Sequence, residues 1–285
     1  MASLQDIRRR IKSVKSTQQI TKAMKMVAAA RLRRAQAAAE SNVPYATKMR
    51  EVIADVASSA GGFSHPLLEV RETGKTLYIV LASDKGLAGA YASNVFKETI
   101  AQIKSKHDTS IIAVGRRAKE YFKPRGYDIV QSYTGFTECP EYQNARQIAV
   151  DVMEHFSREN YKEVYLVYTH FKSAISAIPQ TLKLLPFSKP EAEKGEKKLK
   201  AEYIYEPSAE DVLGYLLPQY IITMVYGALL QSAASELSSR MNAMSNATDN
   251  AEDLISKLGL HYNKVRQAGI TREISEIVGG AEALK

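Results

Sequence analysis

The stretch whose residue types come closest to chemistry is Ser83-Asp84-Lys85-Gly86-Leu87-Ala88-Gly89, which follows the apolar run Thr76–Ala82 (TLYIVLA). A glycine-containing turn between a strand and a helix is where α/β folds bind phosphate, because the amides at a helix start point at the anion. The glycine spacing here matches neither a dinucleotide fingerprint nor a phosphate loop. The turn therefore reads as one that uses Gly86 and Gly89 for close packing. The five histidines (65, 107, 155, 170 and 261) are scattered, none at metal-ligand spacing from a partner. Cys139 stands beside Pro140 without a recognisable base, and neither HExxH nor GxSxG occurs. No catalytic, cofactor-binding or metal-ligating residue is assigned, which leaves a protein that works by contact.

Charge is the second chemical feature. Residues 1–59 hold 12 Lys+Arg against 4 Asp+Glu, and residues 208–285 hold 6 against 9, so the two ends are electrically complementary. The basic face, Arg8 to Lys12 and Arg31 to Arg34, would attract acidic partners. Nucleic-acid binding by this basic helix is the alternative reading. Against it, only one helix is strongly basic, and there is no zinc finger or fork of basic region and leucine zipper. A single cysteine excludes an internal disulfide and suits a reducing compartment. The start, MASLQDIRRRIKS, lacks an apolar signal core, and no run is read as long enough to span a membrane. A soluble chain is expected, with at most peripheral membrane association.

The elements that position these residues follow from periodicity. From Leu237 apolar or small residues return in steps of three and four: Leu237, Met241, Met244, Ala247, Ala251, Leu254, Leu258, Tyr262, Val265 and Ala268. That spacing predicts a helical seam. As one helix, residues 208–285 would make a rod roughly 110 Å long, which must project and find a partner. Residues 3–59 repeat the pattern with Leu4, Ile7, Ile11, Val14, Thr21, Met24, Ala28, Leu32, Ala35 and Ala39, continued by Met49, Val52 and Val56. Pro44 is expected to bend or locally break this helix.

Between them the period becomes extended. Strands are predicted at Thr76–Ala82, Ser110–Val114, Asp128–Tyr133, Glu163–Phe171 and Ile178–Leu185, with helices over 86–106, 116–123 and 143–159. The alternation implies a mostly parallel, helix-covered sheet, its last two strands forming an antiparallel edge hairpin. Lys189–Lys200 reads as an exposed charged loop. The predicted architecture is α/β: an N-terminal coiled-coil helix (1–59), an inserted Rossmann-like α/β domain with linkers (60–207) and a C-terminal coiled-coil helix (208–285). The two end helices pair as a long antiparallel coiled coil.

Four segments in order along essentially the whole chain resemble the gamma subunit of F-type ATP synthases. They are Ile20–Ala29 (ITKAMKMVAA) with Arg31-Leu32-Arg33-Arg34; Ser83–Gly89, where the family commonly has Arg for Lys85 and often Cys for Ala88; Asn246–Ala251 (NATDNA) with Tyr262–Ala268 (YNKVRQA); and Ile270–Ala283 (ITREISEIVGGAEA). Gly259 and Gly269 depart from the larger residues usual in the family. The cysteine-bearing insertion of chloroplast relatives and a mitochondrial-type leader are both missing, so a bacterial source is expected.

The resemblance implies a non-catalytic rotor with no cofactor. One copy per complex would turn inside a ring of alpha and beta subunits, with the epsilon subunit and the membrane c-ring as further partners and no nucleic acid. It would sit peripherally on the cytoplasmic side of a bacterial cell membrane. Carried over residue by residue, Arg266, Gln267, Thr271 and Glu273 match contacts to the surrounding ring. Met24 and Lys25 match the part facing the acidic lever of the beta subunit. Asp84, Lys85 and Lys97 have a similar assignment, all three expected on the short helix after the first strand. Tyr203, Tyr205 and Glu206 match the foot on the membrane ring, and Ile274–Leu284 an apolar bearing.

Overall fold

The computed structural model describes residues 4–59, 65–158, 161–187, 206 and 208–283. In order these form α1 (Leu4–Ser59), β1 (Lys75–Leu81), α2 (Tyr91–Gln102), β2 (Thr109–Val114), α3 (Arg116–Phe122), β3 (Asp128–Tyr133), α4 (Tyr142–Arg158), β4 (Tyr161–Ser173), β5 (Ser176–Leu185) and α5 (Ala209–Ala283). Two 3-10 turns, Pro66–Leu68 and Lys123–Arg125, complete the list. The five strands make one sheet in the order β3-β2-β1-β4-β5. The first four are mutually parallel and β5 returns antiparallel along β4. The expected Rossmann-like unit with its edge hairpin is therefore present. The charged loop expected at Lys189–Lys200 lies outside the described residues.

The chain divides into two compact units, residues 29–239 and residues 1–28 with 240–285. In the larger unit the sheet buries both faces by simple alternation. Leu77, Ile79 and Leu81 of β1 join Ile112, Val114, Val164 and Leu166 on one face. That face also receives Ile148, Val152 and Phe156 of α4, with Met49, Ile53 and Val56 of α1 and Leu213, Leu217 and Ile221 of α5. Tyr78, Val80 and Ala82 point the other way, to Val95 and Phe96 of α2 and Ala118 and Phe122 of α3. A strand buried on both faces reads as an unbroken apolar run, as TLYIVLA does.

Three expectations need correction. First, helix does not begin at residue 86. Leu87 (φ +63°) and Gly89 (φ +55°) are left-handed, which no helix tolerates, so Ser83–Ala90 is a turn and α2 starts at Tyr91. Second, α1 runs unbroken through Pro44, which is exposed and so leaves the carbonyl it deprives of a donor open to water. Third, the chain does contain a long apolar window. Within α5 an 18-residue window has a mean hydropathy of 1.4. Its physical reason is core packing: Leu213, Leu217, Ile221, Ile222, Val225 and Leu229 lie in the cluster against the sheet.

In the smaller unit the two helices run antiparallel. The Arg8 guanidinium donates to the Tyr262 hydroxyl (2.6 Å), the Thr21 and Thr248 hydroxyls share a hydrogen bond (2.8 Å), and Lys25 Nζ donates to Ser245 Oγ (2.9 Å). From Arg8 to Lys25 one helix advances 17 residues while its partner retreats 17 from Tyr262 to Ser245. The seam residues of α1 fall where expected, with Ile7, Thr21 and Ala28 buried. On α5 two seam positions shift by one: Leu254 is 39% exposed and Ala268 is exposed, while Ile255 and Gly269 are half-buried. A strict step of three or four accumulates this error, because the helix turns every 3.6 residues.

Candidate functional site

The larger unit gathers its polar residues at the carboxyl edge of the sheet, the edge at which open α/β folds take ligands. Asp84 follows β1 and is buried. Its Oδ1 accepts from Arg116 N at the start of α3 (3.1 Å), and its Oδ2 from Gly135 N (2.8 Å), Thr137 N (3.2 Å) and Thr137 Oγ1 (3.0 Å). Thr137 Oγ1 also faces Asp84 N at 3.0 Å. The chain's own carboxylate thus fills the place where a phosphate would meet backbone amides. Gly115 makes this possible: at φ +92° its missing Cβ would stand 2.7 Å from the Ala82 carbonyl carbon.

Beside Asp84 an open cleft of about 830 Å³ is lined by α1, α5 and the turn around Phe136. Glu138, with its side chain 14% exposed, bridges two cations, Lys85 Nζ at 3.2 Å and the Arg31 guanidinium. Glu138 therefore ties α1 to the turn after β1. Leu87, at the tip of that turn, holds a left-handed φ and is largely exposed. A non-glycine residue kept in that region costs about 1 kcal/mol or more. The tip thus holds an apolar side chain out to solvent at some cost. Sequence reasoning missed both Glu138 and Leu87. Two glycines flanking Leu87 were the only available signal; Glu138 had none, being 53 residues from Lys85.

Of the other expected contact residues in this unit, Lys85 is exposed at the turn, not on a helix. Lys97 alone lies on α2, exposed on the face opposite Val95 and Phe96. Asp84 lies in the turn as well, its carboxylate spent on the donors named above. Glu206 is exposed just before α5, while Tyr203 and Tyr205 lie outside the described residues.

In the smaller unit Met24 is half-buried in the seam and Lys25 exposed beside it. Arg266 and Gln267 are both exposed next to the half-buried Val265, and neither side chain makes a hydrogen bond or ion pair with another described residue. Beyond them every residue from 270 to 281, Thr271 and Glu273 included, is exposed. Ile270, Ile274, Ile277 and Val278 form a stripe along this end, spaced at four, three and one. Among the described residues nothing covers it. Nor do three His, Cys, Asp or Glu side chains gather as a metal site among the described residues.

Comparison with known proteins decides the family. A family model described as ATP synthase matches residues 3–284. Two ATP synthase gamma chains align over their full length and all of this chain: that of Pelotomaculum thermopropionicum at 51% identity and that of Desulforamulus reducens at 48%. The chain belongs to the ATP synthase gamma-chain family. Solved structures agree in fold. A chain in the central stalk and c-ring of the Tetrahymena thermophila mitochondrial ATP synthase is 29% identical (TM-score 0.60), covering 80% of this chain and 99% of that one. A chain of the Euglena gracilis mitochondrial ATP synthase rotor shares the fold at 18% identity (TM-score 0.66), covering 94% and 98%. Membership makes this gamma-family chain one subunit of an enzyme complex and does not favour the nucleic-acid alternative.

Proposed function

We propose that the chain is the central-stalk rotor of a bacterial F-type ATP synthase and transmits torque between a proton-driven membrane ring and the catalytic ring. The observation that carries this reading is the uncovered end of α5, residues 270–281, a single helix bearing an apolar stripe. Such a stripe costs free energy in water, at about 25 cal/mol per Å² of apolar surface, until a partner covers it. A ring of alpha and beta subunits around the helix would supply that partner.

The mechanism is differential contact. A helix inside a threefold ring presents a different face to each catalytic subunit, so each angular position favours a different combination of open and closed nucleotide sites. Arg266 supplies a fork of donors to an acidic loop and Gln267 adds a donor and an acceptor. Thr271, Glu273, Met24 and Lys25 extend this surface, and Lys85 and Lys97 offer cations to an acidic lever. Asp84 contributes by holding the turn that carries Lys85 and Leu87. Tyr203, Tyr205 and Glu206 form the foot on the c-ring, with epsilon beside it, one gamma chain per complex on the cytoplasmic face of the cell membrane. The chain carries out no bond chemistry.

The test uses the Arg266→Ala/Gln267→Ala double variant. The free chain should melt as the parent does, because neither side chain bonds to another described residue, while ATP turnover of the assembled complex should fall. A variant that unfolds the free chain but leaves the complex at full turnover overturns the assignment.

A further inference from the structure

The amino edge of the sheet, opposite the Asp84 turn, carries a charge feature that the rotor reading does not use. Lys104 and Lys106 precede β2, and Lys123 and Arg125 precede β3, all four exposed. They form one corner: Lys106 Nζ donates to the Arg125 carbonyl and stands 4.9 Å from the Tyr127 ring centre. The Arg125 guanidinium lies 3.8 Å from the Tyr121 ring centre and donates to the Tyr121 carbonyl (2.8 Å). These contacts go to carbonyl oxygens and ring faces and neutralise no charge. The Lys104 and Lys123 side chains make no hydrogen bond or ion pair with a described residue. Of the carboxylates along this edge, Asp128 is held by Lys75 at 3.4 Å and Glu69 by Arg71 at 2.9 Å. Asp108 is the opposing charge within the corner itself, with Glu72 further along, in front of β1.

The direction of this corner follows from α5. Early in that helix Tyr220 packs edge-on against Phe187, just past the end of β5, and Phe187 N donates to the Leu67 carbonyl (2.9 Å). Because β5 is antiparallel to β4, its end lies at the amino edge. Fifteen residues later Ser235 Oγ donates to the Thr169 carbonyl, and then Ser238 Oγ to the Ala174 carbonyl at the hairpin tip. Hence α5 sets out from the amino edge and climbs towards the carboxyl edge. The basic corner shares its edge with the start of α5, just before which Glu206 stands.

We propose that this corner is a lipid-facing contact, in which Lys104, Lys106, Lys123 and Arg125 are attracted to anionic phospholipid headgroups around the membrane ring. The proposal rests on the rotor reading for its orientation. Charge complementarity at a distance suits a part that turns, because the attraction fixes no angle. Each basic residue near an anionic bilayer is worth about five-fold in partitioning, and salt screens the effect within roughly 10 Å at 0.1 M.

The experiment uses the chain assembled with its catalytic ring subunits, stripped of the membrane ring, and floated with phosphatidylcholine vesicles with or without phosphatidylglycerol. The parent complex should float only with phosphatidylglycerol and sink again in high salt. Lys104→Glu/Lys123→Glu, which reverses both charges, should weaken that binding by more than about 25-fold, with ATP turnover and melting unchanged. Lys104→Gln/Lys123→Gln, a milder change, should weaken it by on the order of 25-fold, five-fold for each charge removed. Flotation independent of phosphatidylglycerol, or unaffected by either pair, overturns the proposal. So does a pair that instead controls retention of an RNA oligonucleotide. If the chain does not assemble with ring subunits, the rotor reading is what fails, and the same vesicle assay on the free chain decides the lipid contact.

Discussion

Asp84→Ala removes one carboxylate and leaves the donors of two segments, the start of α3 and the loop after β3, facing each other. Three of the four are backbone amides, Arg116 N, Gly135 N and Thr137 N, at 2.8 to 3.2 Å. An orphaned buried donor costs about 1–3 kcal/mol. Asp84 also lines the open cleft, so water can enter the vacated space and recover part of that cost. The balance is a loss of about 3–5 kcal/mol, a large share of the 5–15 kcal/mol typical of a domain. Asp84→Asn keeps the shape but turns an amide towards donors, and should cost about half as much. Lys85→Ala breaks only an ion pair in which Lys85 is 63% exposed, and should cost at most about 1 kcal/mol. Urea unfolding followed by circular dichroism reads these as midpoint shifts at constant slope. A loss below about 1 kcal/mol for Asp84→Ala, or a larger one for Lys85→Ala, would refute the view that Asp84 plugs the carboxyl edge.

Gly259→Ala and Gly269→Ala should each raise the helicity and stability of α5 by about 1 kcal/mol, since an added Cβ meets nothing within 4 Å at either site; unchanged far-ultraviolet dichroism and melting would contradict this. Gly115→Ala should instead destabilise by more than about 2 kcal/mol through the clash with Ala82 and the φ of +92°, read as lost soluble yield or an earlier melt. The Lys183 ammonium hydrogen-bonds to Glu163 at 2.8 Å and holds its carboxyl below the ordinary range, Tyr165 adding a second hydrogen bond. A lowered folded pKa means that this stabilisation is present above the unfolded value and is lost as pH falls through the folded one. Parent and Glu163→Gln should therefore differ by a few tenths to 1 kcal/mol near neutral pH and converge in acid; a gap that persists in acid would show that the substitution acts through packing.

The strand positions, the edge hairpin and both long helices were legible because burial imposes a period on the sequence. TLYIVLA and TSIIAV show no polar interruption because both faces of β1 and β2 are covered. The stripe from Leu4 to Ala39 could be read because one side of α1 is covered along its length. The turn after β1 was legible from its glycines, but helix was read from residue 86, too early, because the turn's conformation is set by distant donors, Arg116, Gly135 and Thr137, which no local pattern reveals. The apolar window of α5 escaped notice because Gln, Thr, Ser and Pro punctuate it, although it has no charged residue between Asp211 and Glu236. Among the contact residues, Arg266 and Gln267 were placed by motif resemblance, and their exposure follows from the half-buried Val265 beside them. Glu138 was invisible, since ion pairs between loops leave no periodicity.

Direct observation of rotation tests the central claim. Ile175, at the hairpin tip and 91% exposed, is a position where a single cysteine can carry a probe once the exposed Cys139 is replaced by serine. With the catalytic ring fixed to a surface and ATP supplied, the probe should turn in one direction, in steps, and stop when ATP is withdrawn. A complex that hydrolyses ATP while the probe stays fixed or only wanders without direction would contradict the assignment of this chain as the rotor.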